Sequence, residues 1–151
     1  LHIYLDGSGS VSERMYQDGI KSCIKLAKKM GVNLYFSSFS DYLSQPAKLH
    51  VKGKTTRQIY DEFKSIPKVT GGTDYEQIWH YINKSARRRQ RVSIIISDFE
   101  YTAPNHYVQH PRFLYYAPVT STNWNYVTSS AEQFIKSMTN ICPTIRKHVL
   151  M

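Results

Sequence analysis

The sequence predicts an α/β domain: an open, mostly parallel central sheet with helices on both faces. Three observations carry this expectation. The runs His2–Leu5 (HIYL) and Val92–Ser97 (VSIIIS) are short and almost continuously apolar, as strands covered on both faces should be. Between them, apolar residues recur at spacings of three and four, the period of an amphipathic helix. Strands and helices alternate along the chain, and right-handed crossovers turn that order into a parallel sheet with helices on each side. The chain has 151 residues, 41% of them hydrophobic, enough for one globular domain with its own core. It has no internal repeat and no linker, so residues 1–151 read as a single domain.

Each element follows from local chemistry. Residues 2–5 form the first strand. Residues 12–30 form a helix whose apolar face is Met15, Gly19, Ile20, Cys23, Ile24 and Ala27. Lys21, Lys25, Lys28 and Lys29 lie off that face, and Gly31 stops the helix. Asn33–Ser40 is a second strand, with Asp41 just beyond. Ala47–Lys52, bracketed by Pro46 and Gly53, suits an antiparallel edge strand. Thr55 or Thr56 caps a helix to about residue 66, with Ile59, Tyr60 and Phe63 inward and Pro67 after it. Residues 69–75 make a glycine-hinged loop into a further helix, with Thr73 or Asp74 as cap and Tyr75, Ile78, Trp79 and Ile82 inward. That helix runs into a basic end. Val92–Ser97 is the central strand, and residues 99–112 read as a long loop. Phe113–Val119 is another strand. A last helix spans about 129–140, and a weakly signalled strand lies at about 145–150.

The formal net charge of +9 favours acidic partners, whether nucleic acid, an anionic membrane surface or acidic proteins; the same surplus can simply serve solubility. Lys84, Arg87, Arg88, Arg89 and Arg91 place five cations within residues 84–91. They read either as a solvated, dipole-matched helix end or as an anion-binding patch. Two unclustered cysteines, Cys23 and Cys142, make neither a disulfide scaffold nor a zinc site, which points to a reducing, intracellular compartment. The six histidines read as packing or surface residues. No apolar run approaches the ~20 residues of a membrane span. The chain starts at Leu1 inside an apparent strand, as a piece trimmed from a longer protein would.

Candidate chemistry centres on Asp6-Gly7-Ser8-Gly9-Ser10, which leaves the first strand. One carboxylate and two hydroxyls alternate with glycines, so three oxygens can converge as half a shell for a hard divalent cation. The same five residues also suit a plain turn with Ser8 or Ser10 as N-cap. In an open α/β sheet, ligands bind beyond the carboxyl ends of the strands at the point where strand order reverses. Asp98 ends the VSIIIS strand, and Thr73 sits on the loop before it. If those strands are neighbours, Asp6 and Asp98 face each other and need a cation between them.

Asp-x-Ser-x-Ser after the first strand, Thr73 in Gly-Gly-Thr-Asp, and Asp98 after a later apolar strand together resemble the metal-ion-dependent adhesion site of von Willebrand factor A domains. Residues 36–41, FSSFSD, resemble that family as well, and the likeness runs from Leu1 to at least Ser97. The resemblance implies a Rossmann-like three-layer sandwich. It also implies a Mg²⁺ or Mn²⁺ site at Asp6, Ser8, Ser10, Thr73 and Asp98, with Gly72, Asp74, Phe99 and Asp41 on the rim facing a partner. It further implies a module whose cation takes an Asp or Glu from a partner protein, not a catalyst. Gly71-Gly72 would hinge Thr73 into the inner shell. The Gly-Gly-Thr-Asp form and the short C-terminal part look like intracellular bacterial or phage members, some of which work with AAA+ ATPases. Where the family often has Thr-Asp-Gly, this chain has Ser97-Asp98-Phe99, so a different turn is expected there, because Phe is disfavoured at positive φ.

Two other classes compete. A Mg²⁺-dependent phosphoryl-transfer enzyme also uses paired carboxylates at a sheet edge, but the position two residues after Asp6 is Ser8, where a haloacid-dehalogenase-like phosphatase needs a second Asp. RNA binding could use the basic cluster with aromatics at Tyr101, Tyr107, Tyr115, Tyr116, Trp124 and Tyr126.

Overall fold

The computed structural model describes residues 1–7, 13–99, 111–118 and 146–147. Along the chain come β1 (His2–Asp6), α1 (Glu13–Met30), β2 (Leu34–Phe39), β3 (Ala47–Leu49), α2 (Thr56–Lys64) and α3 (Glu76–Asn83). Then follow α4 (Ala86–Gln90), β4 (Ser93–Ser97), β5 (Leu114–Pro118) and β6 (Arg146–Lys147). The expected final helix, with Cys142, His106 and His110, lies outside the described residues.

The sheet order is β3-β2-β1-β4-β5-β6. Every pairing is parallel except β2 with β3, so the expected antiparallel edge strand is present. It is shorter than its alternating pattern suggested, ending at Leu49. Strand order reverses between β1 and β4, so the crevice of this fold opens at their carboxyl ends.

Alternating side chains of the sheet feed two cores. Ile3, Leu5, Phe36, Ile94 and Ile96 point to one face, where Ile20, Cys23, Ile24 and Ala27 of α1 and Ile59 and Phe63 of α2 cover them. Tyr4, Phe39, Ile95 and Tyr116 point to the other, under Tyr75, Ile78, Trp79 and Ile82. This is why the central strands carry apolar residues at consecutive positions. Burial pushes the Cys23 thiol up to about 12, which suits an inert core residue.

Local signals place the helix ends. Thr55, not Thr56, caps α2: its Oγ1 accepts from the Gln58 amide, and the Gln58 side chain accepts from the Thr55 amide. After α2, Lys68 Nζ donates to the Phe63 and Ile66 carbonyls, a cation at the helix's C-terminal end. The basic run is not the tail of α3, as its periodicity suggested. Ser85 takes an extended conformation and accepts from the Arg88 amide, which ends α3 near Lys84 and starts the separate helix α4.

The amino edge of the sheet is an aromatic and cationic cluster. His2 is buried, stacks on Tyr4 at 4.1 Å and lies 2.8 Å from Ser37 Oγ. Arg91 stacks on Tyr35 and Arg88 on Tyr81. Burial, helped by the Arg91 charge, lowers His2 to about 3. The unfolded chain therefore binds a proton at His2 below about pH 6.5 that the folded chain refuses until about pH 3. Stability contributed by neutral His2 is complete above that upper value and is lost as pH falls, by about 1.4 kcal/mol per pH unit. Urea unfolding of the native chain and of His2→Phe between pH 7 and 5 should show this slope in the native chain and a shallower one in the variant. Parallel slopes would mean that His2 titrates normally.

Candidate functional site

The carboxyl edge is assembled from the exits of β1, β2 and β4. β1 leaves the sheet at Asp6, and the Gly7 amide continues the ladder to the Phe39 carbonyl at 2.8 Å. A Cβ on Gly7 would overlap the Val69 carbonyl oxygen, so only glycine lets the 67–70 segment pass this close. That segment is anchored by the Val69 amide donating to Ser38 Oγ at 2.9 Å.

Asp6 is 1% exposed, and Asp98, just past β4, is 8% exposed. The parallel register sets Leu5 opposite Ile96, so the residues that follow, Asp6 and Ser97, meet at the same edge. Ser97 Oγ donates to Asp6 Oδ2 at 2.6 Å. Its single proton is thereby committed. Tyr75 Oη, 2.8 Å from Ser97 Oγ, must then donate to it, and the Phe99 amide donates to it as well at 3.1 Å. Burial, then the charge of Asp6, raises the Tyr75 phenol, so it stays protonated and remains a donor. The result is a relay from Tyr75 through Ser97 to Asp6. It fixes the carboxylate's orientation as outer-shell donors do around a metal ligand.

Phe99 corrects two expectations at once. It takes the positive φ itself, at 54°, so the turn keeps the left-handed step without a glycine. It is also 0% exposed, with ring centroids 5.6 Å from Tyr75 and 5.3 Å from Tyr116. Its ring therefore belongs to the core and cannot reach a partner on the rim. Burial of a large ring outweighs the roughly 1–2 kcal/mol cost of the left-handed conformation.

The 70–75 loop is held against the end of β2. The Asp74 amide donates to the Ser40 carbonyl, and Gln77 Nε2 donates to the carbonyls of Ser40 and Asp74. Asp74 Oδ1 accepts from the Glu76 amide, so Asp74 supplies the side-chain bond at the start of α3. Gly71 has φ +142°, and a Cβ on Gly72 would run into the Asp41 carboxylate. Asp41, Gly72 and Asp74 are exposed and Thr73 is half-buried. Ser40 Oγ is buried beside Gly71 and makes no hydrogen bond among the described residues.

Asp6, Asp98 and the Thr73 loop thus come to one edge. Ser8 and Ser10 lie outside the described residues. The donors brought together are oxygens, two of them on buried or nearly buried carboxylates, and both carboxylates raise Tyr75 electrostatically. That chemistry, with an orphaned buried hydroxyl nearby, fits Mg²⁺ or Mn²⁺. Sequence reading missed Ser97 and Tyr75. The signal was a serine closing an otherwise apolar buried strand, one residue before the candidate ligand.

The basic cluster lies at the opposite edge, roughly 20 Å away by the rise of a strand between Arg91 and Asp98. Arg88 and Arg89 donate to the Tyr81 and Asn83 carbonyls, and Arg88 and Arg91 stack on tyrosines. Lys84 and Arg87 are exposed.

No protein-family model matches the chain, and no curated protein does either. Solved structures do share its fold. An aerotolerance-related membrane protein from Bacteroides fragilis superposes with a TM-score of 0.61 at 14% identity, over 98% of this chain and 90% of that one. The manganese-loaded TRAP protein of Plasmodium vivax gives 0.54 at 16% identity, over 98% of this chain and 68% of that one. The chain therefore has a von Willebrand factor A-like fold.

Two substitutions probe the edge. Ser97→Ala removes one donor and one acceptor shared by three groups; we expect a loss of about 1–3 kcal/mol, read as a lower urea midpoint. Phe99→Gly relieves the backbone but deletes a buried ring worth about 3–5 kcal/mol. It should be net destabilising by about 1–4 kcal/mol after the relief is counted, and a more stable variant would show that strain dominates.

Proposed function

We propose that this chain is a metal-dependent protein-binding module. Asp6, Ser8, Ser10, Thr73 and Asp98 would hold Mg²⁺ or Mn²⁺, and an Asp or Glu of a partner protein would complete the shell. The observation that carries this reading is the convergence of Asp6 and Asp98 at the strand-order reversal, with Ser97 bonded to Asp6. The manganese-loaded state of the Plasmodium vivax neighbour supports it by analogy of fold.

The chemistry favours binding over catalysis. Two carboxylates and three hydroxyls bring few formal charges, so a bound dication stays electrophilic and takes a further anionic oxygen readily. Asp6 is held rigidly by the relay, whereas Thr73 follows two glycines. Movement of Thr73 toward the ion on partner arrival would shift the loop and α3 with it. Position 8 is Ser, so the second carboxylate of a phosphoryl-transfer site is not in place there. We place the partner in an intracellular complex; an AAA+ ATPase is the partner class that the family resemblance suggests. Among the described residues no helix is long and apolar enough to cross a membrane.

Thermal unfolding with and without Mg²⁺ or Mn²⁺ tests the site. A metal present at a hundredfold excess over its Kd adds about 2.7 kcal/mol, or roughly 2–4 °C for each kcal/mol in a domain of this size. The shift should vanish in Asp6→Ala and shrink in Thr73→Ala; an unchanged shift in Asp6→Ala would place the metal elsewhere. Oligonucleotide binding that falls steeply with salt and ignores EDTA would favour the RNA reading instead.

A further inference from the structure

A groove of about 540 Å³ runs beside α3, between that helix and residues 43–46. Its size is that of a ligand cleft and not of a surface wrinkle. One wall is firm: the Ser44 amide donates to the Ser38 carbonyl at 2.9 Å, and Leu43 bridges to Phe39. The other wall is one stripe of α3, with Gln77, His80 and Lys84 on successive turns. Leu43, Pro46 and Tyr81 supply apolar surface.

One end of the groove adjoins the loop that carries Thr73. Gln77, at its upper end, is the residue that holds the Ser40 and Asp74 carbonyls, which bound the Thr73 loop. Beside that end stand Asp41 and Tyr42. Tyr42 is 59% exposed, an aromatic of the kind that anchors protein interfaces. At the lower end is Lys84. No Asp or Glu lines the groove, and among the described residues Lys84 has no ion-pair partner. From Gln77 to Lys84 is about 10 Å along the helix, which about three residues of extended chain span.

We propose that this groove receives an extended acidic segment of the same protein partner whose carboxylate completes the cation's shell, with a second acidic side chain meeting Lys84. The proposal rests on the metal-binding reading above and names what surrounds the partner's ligand residue. Continuity with the Thr73 loop and the charge of the lining argue for such a segment. The two ends of the groove would read two acids at a fixed spacing, which a single carboxylate on a cation cannot do.

A fluorescent octapeptide alternating Asp or Glu with Gly is the probe, measured by anisotropy in excess Mg²⁺ against its Asn/Gln counterpart. Lys84→Glu should weaken binding of the acidic peptide by about tenfold or more. Arg57→Glu makes the same charge change on exposed α2, across the sheet, and should weaken it by no more than about twofold. Asp6→Ala or EDTA should also weaken it. If Lys84→Glu behaves like Arg57→Glu while EDTA abolishes binding, the groove proposal is overturned and the cation reading stands. If binding ignores EDTA and Asp6→Ala but is lost in Lys84→Glu, the groove binds acidic peptide on its own, the cation reading fails, and the proposed coupling of the two is overturned. Equal binding of the acidic and amide peptides, or no binding by the native chain, overturns the proposal.

Discussion

The Ser97 hydroxyl is the joint on which the candidate site depends. It donates to Asp6, accepts from Tyr75 and accepts from the Phe99 amide, and so ties β1, α3 and the turn after β4 to one oxygen. A buried carboxylate such as Asp6 is costly unless its oxygens are satisfied. The relay meets that cost and sets the carboxylate's orientation in the same contact. It also explains why Tyr75 sits at the start of α3: its ring packs on Phe39 and Phe99 while its hydroxyl reaches the relay. Packing and polar satisfaction here are a single arrangement.

The sheet divides the molecule's chemistry between its two edges. Carboxylates and small hydroxyl residues gather where the parallel strands end, beside the loops that can reshape a site. Arginines, tyrosines and His2 gather where the strands begin. There Arg88, Arg89 and Arg91 stack on rings or bond carbonyls, and His2 is kept neutral by burial. Much of the chain's positive charge at that edge therefore serves structure. Lys84 is different. It closes α3, is exposed, and lines the groove that descends from the Thr73 loop.

Most of the scaffold was legible in the residues. The apolar runs of β1 and β4, the period of α1 and α2, Gly31 after α1 and the capping chemistry of Thr55 each act over a few residues, and the structure follows them. Beyond the shortened β3, local signals failed in two places. Ser85 broke an otherwise continuous helical pattern, because a serine that caps competes with one that propagates. Phe99 occupied a backbone conformation that its side chain disfavours, because the pocket between Tyr75 and Tyr116 repays the strain.

By itself the sequence determined the fold class and the strands whose ends carry Asp6 and Asp98, since these follow from periodicity, glycine placement and residue chemistry. The tertiary structure alone decided that β1 and β4 are neighbours, that Ser97 and Tyr75 orient Asp6, and that the arginines stand at the far edge. It also decided that Phe99 faces inward. The reason is that such relations join residues tens of positions apart, through register and packing between layers, and no local pattern encodes a contact whose two halves lie on different strands.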